Sequence, residues 1–263
     1  MEKETYSEYR MTFDFHTHTI YSHGFPKPHG KGTVRQNVEE ARRKGLLEIA
    51  ISDHGPGHLF YGIRRERISE QRQEIEVLKR EYPDIRIWQS VEANLKEGGN
   101  HLDVEPELAR RFDFLLAGYH YGVANSHLSG NKFASYGLMP SGQKANLRRV
   151  MTEMYVNALY ENDIRILTHP GDKGPVDMAE VARACGERGT WMEISTWHTH
   201  LTTEEIRTAM KVPEVRFVIS SDAHTPERVG SYQGGILRAL EAGLDPARIV
   251  NIECRENVDR RDR

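Results

Sequence analysis

The chain has 263 residues, a length that suits one large α/β domain as well as two smaller ones. Hydrophobic residues make up 38% and charged residues 29%, which excludes disordered and collagen-like chains, and the net charge of -3 leaves no overall field to draw in nucleic acid or an anionic membrane. MEKETYSEYRM at the amino terminus lacks a signal-peptide core, no stretch approaches the ~20 apolar residues of a membrane span, and Cys185 and Cys254 are too few for a disulfide framework, so a cytoplasmic protein is expected.

In chain order, short apolar runs alternate with longer amphipathic segments. A first strand is expected at 12–16 (TFDFH), followed by a helix with Thr33 as N-cap, Val34, Val38 and Ala41 at helical spacing, and Gly45 as C-cap. Strand two at 47–52 leads to a helix near 64–81, and strand three at 85–91 to strand four at 113–119. An irregular stretch from Tyr121 to Met139 then precedes a helix at 141–161. Strands at 164–168, 190–195 and 215–220 alternate with helices at 176–188, 203–210 and 234–242. One domain is expected over 1–263, with roughly the first ten residues peripheral and the terminal ENVDRRDR frayed.

Strands of this kind, apolar on both faces and alternating with helices, pair in parallel inside a layer of helices, as in a barrel or a doubly wound sheet. A dinucleotide-type sheet wants a glycine-rich turn after its first strand. Here that turn is HTHTIYSHG, which favours the barrel.

Thirteen histidines are the compositional outlier. Strand one ends in His16-Thr17-His18, strand two in Asp53-His54, strand three in Glu92, strand four in His120 and strand five in His169. Strand six carries Glu193, with His198 and His200 beyond it, and strand seven ends in Asp222-Ala223-His224. Parallel strands bring their carboxyl ends to one face of a barrel, and imidazole with carboxylate suits zinc, manganese or iron. A lone HxH or a strand-end histidine is an ordinary feature. Their coincidence at strand after strand points to a metal centre.

The motifs HTHTIYSHG, ISDHG, VEAN, AGYH, LTHPG and SSDAH, spread over residues 12 to 225, resemble the PHP (polymerase and histidinol phosphatase) superfamily, most closely its bacterial phosphoesterases. The resemblance implies a distorted (β/α)7 TIM-like barrel and three divalent cations, of zinc, manganese or iron. It assigns one cation to His16, His18, Glu92 and Asp222, a second to the bridging Glu92 with His120 and His169, and a third to His23, His54 and His224. It further implies that a metal-activated hydroxide hydrolyses a small phosphomonoester, L-histidinol phosphate being one example. Such a centre, of charge about +4, suits a phosphate dianion.

Asp53, His198 and His200 are the candidates for protonating the leaving group, Asp53 also reading as an acceptor that fixes an imidazole tautomer. Glu193 reads equally as the buried partner of a cation. Arg64, Arg65, Lys96, Lys173 and Arg228 are candidates for holding the phosphate of a small phosphorylated metabolite, and Tyr61, Tyr119, Tyr121, His127 and Trp197 for shaping the pocket. The alternatives are a nucleotide phosphodiesterase or nuclease, against which the acidic balance weighs for long nucleic acid, a carbon–nitrogen hydrolase, and a metal-binding scaffold without catalysis. No lysine stands at a strand end to bridge metals as in the carbon–nitrogen hydrolases, and a decayed scaffold would lack ligands that this chain retains.

Overall fold

The structure, a computed structural model, describes residues 7–255, so ENVDRRDR lies outside the described residues. The elements in chain order are β1 (Tyr9–Met11), β2 (Phe13–Asp14), α1 (Val34–Arg43), β3 (Glu48–Ile51), α2 (Ile68–Glu81), β4 (Arg86–Asn94), α3 (Pro106–Ala109) and β5 (Phe114–Gly118). They continue with α4 (Leu128–Ser135), α5 (Ser141–Glu161), β6 (Ile164–Leu167), α6 (Met178–Arg188), β7 (Trp191–Ser195), α7 (Thr203–Ala209), β8 (Phe217–Ser220), α8 (Gln233–Ala242) and β9 (Ile252–Cys254). Local chemistry sets several boundaries. Thr33 and Gln36 form a capping box that starts α1, and the two donors accepted by Asp177 start α6 at Met178 rather than at residue 176.

Strands β2 to β8 lie side by side in sequence order, every pair parallel. The ring closes through Thr17 and Ala223, where His18 N donates to Ala223 O at 2.8 Å and Ala223 N to His16 O at 3.2 Å. At the other end the Asn251 side chain bridges the seam like a fragment of strand. Its Nδ2 donates to Phe13 O (2.8 Å) and Ile219 O (2.6 Å), and its Oδ1 accepts from Ile219 N (3.0 Å). The expected seven-stranded, TIM-like α/β barrel is therefore present and nearly closed. Among the described residues no helix is long and apolar enough to cross a membrane.

Two apolar layers follow from strand alternation. Phe15, Ala50, Leu116, Ile166 and Val218, joined by Phe13, Trp88, Phe114 and Trp191, form a small cluster contributed by every barrel strand, which is the filled interior. The opposite strand faces, with Ile49, Ile51, Val91, Leu115, Leu167, Met192 and Ile219, meet the helices in the larger core.

Three differences from expectation have physical causes. Strand β4 runs on through Glu92 to Asn94 because Glu92 pairs in register with Leu116, so that carboxylate belongs to the sheet rather than to a loop. The stretch between Tyr121 and Met139 contains α4, whose LSGNKFAS sequence carries a glycine and buries only Asn131, leaving no apolar stripe to read. The antiparallel β1–β9 pair, tied by Arg10 to Glu253 at 2.9 Å, is three residues on each side, too short to show a period.

Candidate metal centre

Followed upward, the interior face of each strand changes character. Trp88 is followed two residues on by Ser90 and then Glu92, Leu116 by Gly118 and His120, Val218 by Ser220 and Asp222, and Ala50 by Ser52 and His54. An apolar floor gives way to small polar residues and then to ligand-type groups at the carboxyl-terminal mouth. Smallness in the middle layer is required. A Cβ on Gly118 would lie 2.1 Å from Thr168 Oγ1 and 3.0 Å from Glu92 Oε1, in the space that the Glu92 carboxylate occupies.

At the mouth His16, His18 and Asp222 bring their ligand atoms together, with His16 Nε2 and His18 Nε2 3.1 Å apart and His18 Nε2 3.1 Å from Asp222 Oδ1. Three further groups meet beside them: His18 with His54 and His224, Glu92 with His54 and His120, and His169 with His198 and Asp222. The completely buried Glu92 sits at the centre. Its Oε1 lies 2.9 Å from His169 Nε2 and 3.3 Å from His16 Nε2, and its Oε2 lies 3.0, 3.5 and 3.7 Å from nitrogens of His54, His120 and His18.

The protonation pattern suits cation ligands. His224 Nδ1 donates to the carbonyl of Asp222 at 3.0 Å, which leaves its Nε2 lone pair turned inward. His16 Nδ1 donates to Glu193 Oε1 at 2.6 Å, and against burial the carboxylates of Glu193, Asp222 and Glu92 raise its affinity for a proton well above the ordinary imidazole range, a proton that a bound cation would displace. Burial pushes His54 and His120 well below the ordinary imidazole range and takes His224 down to about 3, so all three are neutral at pH 7. Burial opposes the charged form of Glu92, but the ring of imidazoles around it, with His16 as the protonated member and hydrogen bonds from His16 and His169, outweighs burial and holds the carboxyl well below the usual carboxylate range. Asp222 is held low against burial in the same way, chiefly by His16.

Both ring nitrogens of His54, Glu92 Oε2 and His224 Nε2 are inaccessible to solvent and make no hydrogen bond. The 3.0 Å approach of His54 to Glu92 is off the hydrogen-bond direction. Orphaned buried polar atoms are costly and rare, and a cluster of lone pairs facing one another is the donor set that a divalent cation satisfies.

Not every expected residue joins the cluster. His23 stands on the rim, its Nε2 3.2 Å from Arg64 Nη2, and among the described residues its ring does not meet His54 or His224. His29 does, its centroid 4.5 Å from His224 and 5.5 Å from His54. The cause is a loop that leaves at Ser22, which Asp53 anchors, and returns at His29, whose N donates to Ser22 O while Lys31 N donates to His224 O. The second His-Gly pair in HGFPKPHG was the available signal for His29.

Asp53 is not placed to protonate a leaving group. Both its oxygens are taken up, by Thr19 N and Oγ1, Ser22 N and Oγ, and Gln71 Nε2, at 2.5–2.9 Å. It reaches an imidazole only through Ser22 Oγ, 3.4 Å from His18 Nδ1. His198 is better placed, half-buried between Asp172 (3.3 Å from Nδ1) and Asp222 (3.2 Å from Nε2), whereas His200 turns aside to Glu205.

A pocket of about 210 Å³ opens over the cluster, lined by Tyr61, Tyr121, Lys173, Trp197 and His198. His29 and the unanticipated His58 sandwich Tyr61, each ring 4.0 Å from it, and burial lowers both imidazoles to about 4. Of the basic candidates only Lys173 lines this pocket, paired with Asp172. Arg65 is engaged by Glu105, Lys96 turns to the carbonyl of Gly98, and Arg228 lies over the face of Trp197 and donates to Thr196 O. Tyr119 is fully buried with its hydroxyl on Ser126 O, and His127 bonds Glu97 away from the mouth.

A match to the PHP domain family spans residues 14–206. The chain belongs to the PHP family. A protein of Acetivibrio thermocellus named as a probable phosphatase is 28% identical over 258 residues, covering 95% of this chain and 94% of its own length. A probable phosphatase of Thermoanaerobacter sp. is 26% identical over 257 residues, covering 93% of this chain and 91% of its own. The fold is that of the histidinol phosphate phosphatase of Lactococcus lactis, solved with zinc, L-histidinol and phosphate: TM-score 0.61, 18% identity, 89% of this chain and 95% of that one. The family resemblance of the sequence is thus borne out, and its expectation of a phosphoric ester hydrolase accords with the names of these relatives.

Proposed function

We propose that this PHP-family chain is a metal-dependent phosphomonoesterase acting on a small phosphorylated metabolite. The observation that carries the reading is the set of buried imidazoles and carboxylates that converge on Glu92 at the mouth of the barrel, several of their polar atoms without a hydrogen-bond partner. Three divalent cations of the zinc, manganese or iron type fit these donors. His16, His18, Glu92 and Asp222 would hold one, and Glu92, His120 and His169 the second. His54 and His224 would hold the third, with His29 in the place the sequence suggested for His23. When bound, such cations supply a water nucleophile near neutral pH and neutralise charge on the phosphoryl oxygens.

The remaining work falls to the side chains of the pocket. Lys173 stands at its edge to receive a phosphate oxygen, and Tyr61 and Trp197 wall it from solvent. His198, oriented by Asp172 at Nδ1, holds at Nε2 the proton that the departing oxygen takes.

The test is phosphate release from phenyl phosphate and bis(phenyl) phosphate by protein loaded with manganese, zinc or iron. Turnover of the monoester over the diester, lost with a chelator and restored by metal, is the expected result. Preference for the diester, or inactivity with all three metals, would overturn the reading.

A further inference from the structure

The second pocket beside the centre has a volume of about 520 Å³ and shares the rings of His29 and Tyr61 with the first. Its other walls are the loop from His23 to Lys31 and the segment Leu59–Phe60. The loop is shaped tightly: a Cβ on Gly24 would lie 2.3 Å from Lys27 O, and one on Gly30 would lie 2.2 Å from Thr19 O. The stacked rings of His29 and Tyr61, 4.0 Å apart, form the common wall of the two pockets, so the second lies directly beside the space where a phosphoryl group at the metal centre would sit.

The chemistry of the walls is one-sided. Lys27 and Lys31 line the pocket, both exposed, and among the described residues neither has a carboxylate partner, whereas Arg35, Arg42, Arg65, Arg67 and Arg72 are each ion-paired. Arg64, next to His23 on the rim, likewise meets an imidazole rather than an acid. Among the described residues no acidic side chain lines the pocket. Between the cations stand flat and apolar surfaces open to solvent: Phe25 is 96% exposed, Leu59 72% and Phe60 61%. Large apolar side chains left open beside unpaired cations describe a receiving surface.

We infer that this pocket takes the leaving-group part of the substrate and selects phosphomonoesters whose leaving group joins a flat apolar body to a second negative charge. The inference rests on the phosphomonoesterase reading above and narrows it. It disfavours a leaving group that carries an amine, such as L-histidinol, because an ammonium would enter a cationic pocket without an acid to meet it.

Three aryl esters that differ only in the para substituent test this on the metal-loaded protein: 4-carboxyphenyl, phenyl and 4-(aminomethyl)phenyl phosphate. The expected kcat/KM falls in that order, by roughly five- to tenfold between the first and the last, as two exposed ion pairs allow. The ratio of carboxyl to aminomethyl ester should shrink with rising salt and invert in the K27E/K31E variant. Calorimetry gives a readout independent of turnover: 4-phosphonobenzoate should bind more tightly than phenylphosphonate, and the difference should vanish in the variant. If the reversal variant does not fold, the salt dependence of the wild-type ratio decides. Hydrolysis of all three esters at equal rates would overturn the pocket assignment and leave the phosphatase reading standing. Lysine-dependent binding of 4-phosphonobenzoate without hydrolysis of any ester would do the reverse, and neither binding nor hydrolysis would overturn both.

Discussion

Replacing Glu92 with alanine is expected to lower phosphate release by on the order of a thousandfold or more while leaving a folded protein. Glu92 is the one carboxylate whose two oxygens face five imidazoles, those of His16, His18, His54, His120 and His169. In the proposed centre its removal would take away the negative charge that offsets two neighbouring cations, and fewer cations per chain should be found by elemental analysis. The metal-free fold is weakened as well, though far less than activity. Alanine removes the hydrogen bonds from Thr168 Oγ1 (2.7 Å) and His169 Nε2 (2.9 Å) together with a carboxylate that the surrounding imidazoles keep ionised despite burial. Denaturant unfolding of the metal-free variant should show a loss of about 1–3 kcal/mol. Retained turnover would contradict the central place given to Glu92.

Asp53→Ala is expected to do the opposite, costing about 3–5 kcal/mol of stability. The carboxylate is buried and collects five hydrogen bonds from Thr19, Ser22 and Gln71. It thereby pins the turn that carries His18 to the end of β3 and to α2. Alanine would strand those donors without acceptors, and asparagine would turn an amide toward them. Urea unfolding of Asp53→Ala and Asp53→Asn measures the loss directly. Were Asp53 a proton donor instead, Asp53→Asn would unfold like the wild type and alter only the pH–rate profile.

These two residues show what could be read from the chain. The seven strands were legible because each is a short β-branched or aromatic run, and the floor-to-mouth gradient was legible because alternation carries Trp88 to Glu92 and Val218 to Asp222 on one face. Asp53, by contrast, follows a strand and precedes a histidine in either role. Only the positions of Thr19, Ser22 and Gln71, up to 34 residues away, settle what it does.

His29 was hidden for a related reason. The chain offers His-Gly twice within eight residues, and backbone hydrogen bonds from His29 N to Ser22 O and from Lys31 N to His224 O decide which pair returns to the mouth. Backbone bonds of that kind leave no mark on side-chain identity. Arg228 shows the same limit: its place after Asp222 suggests a phosphate clamp, and only the structure shows its guanidinium lying over the half-exposed indole of Trp197, a wall of the pocket, rather than in the pocket itself.

The most direct measurement is anomalous scattering from crystals of the chain grown with manganese, recorded on either side of the metal edge. Peaks within bonding distance of Glu92, His16, His18, Asp222, His120 and His169, with a further one between His54, His224 and His29, are what the proposed centre predicts. A barrel mouth without anomalous density at saturating manganese, the metal lying elsewhere on the protein, would contradict it.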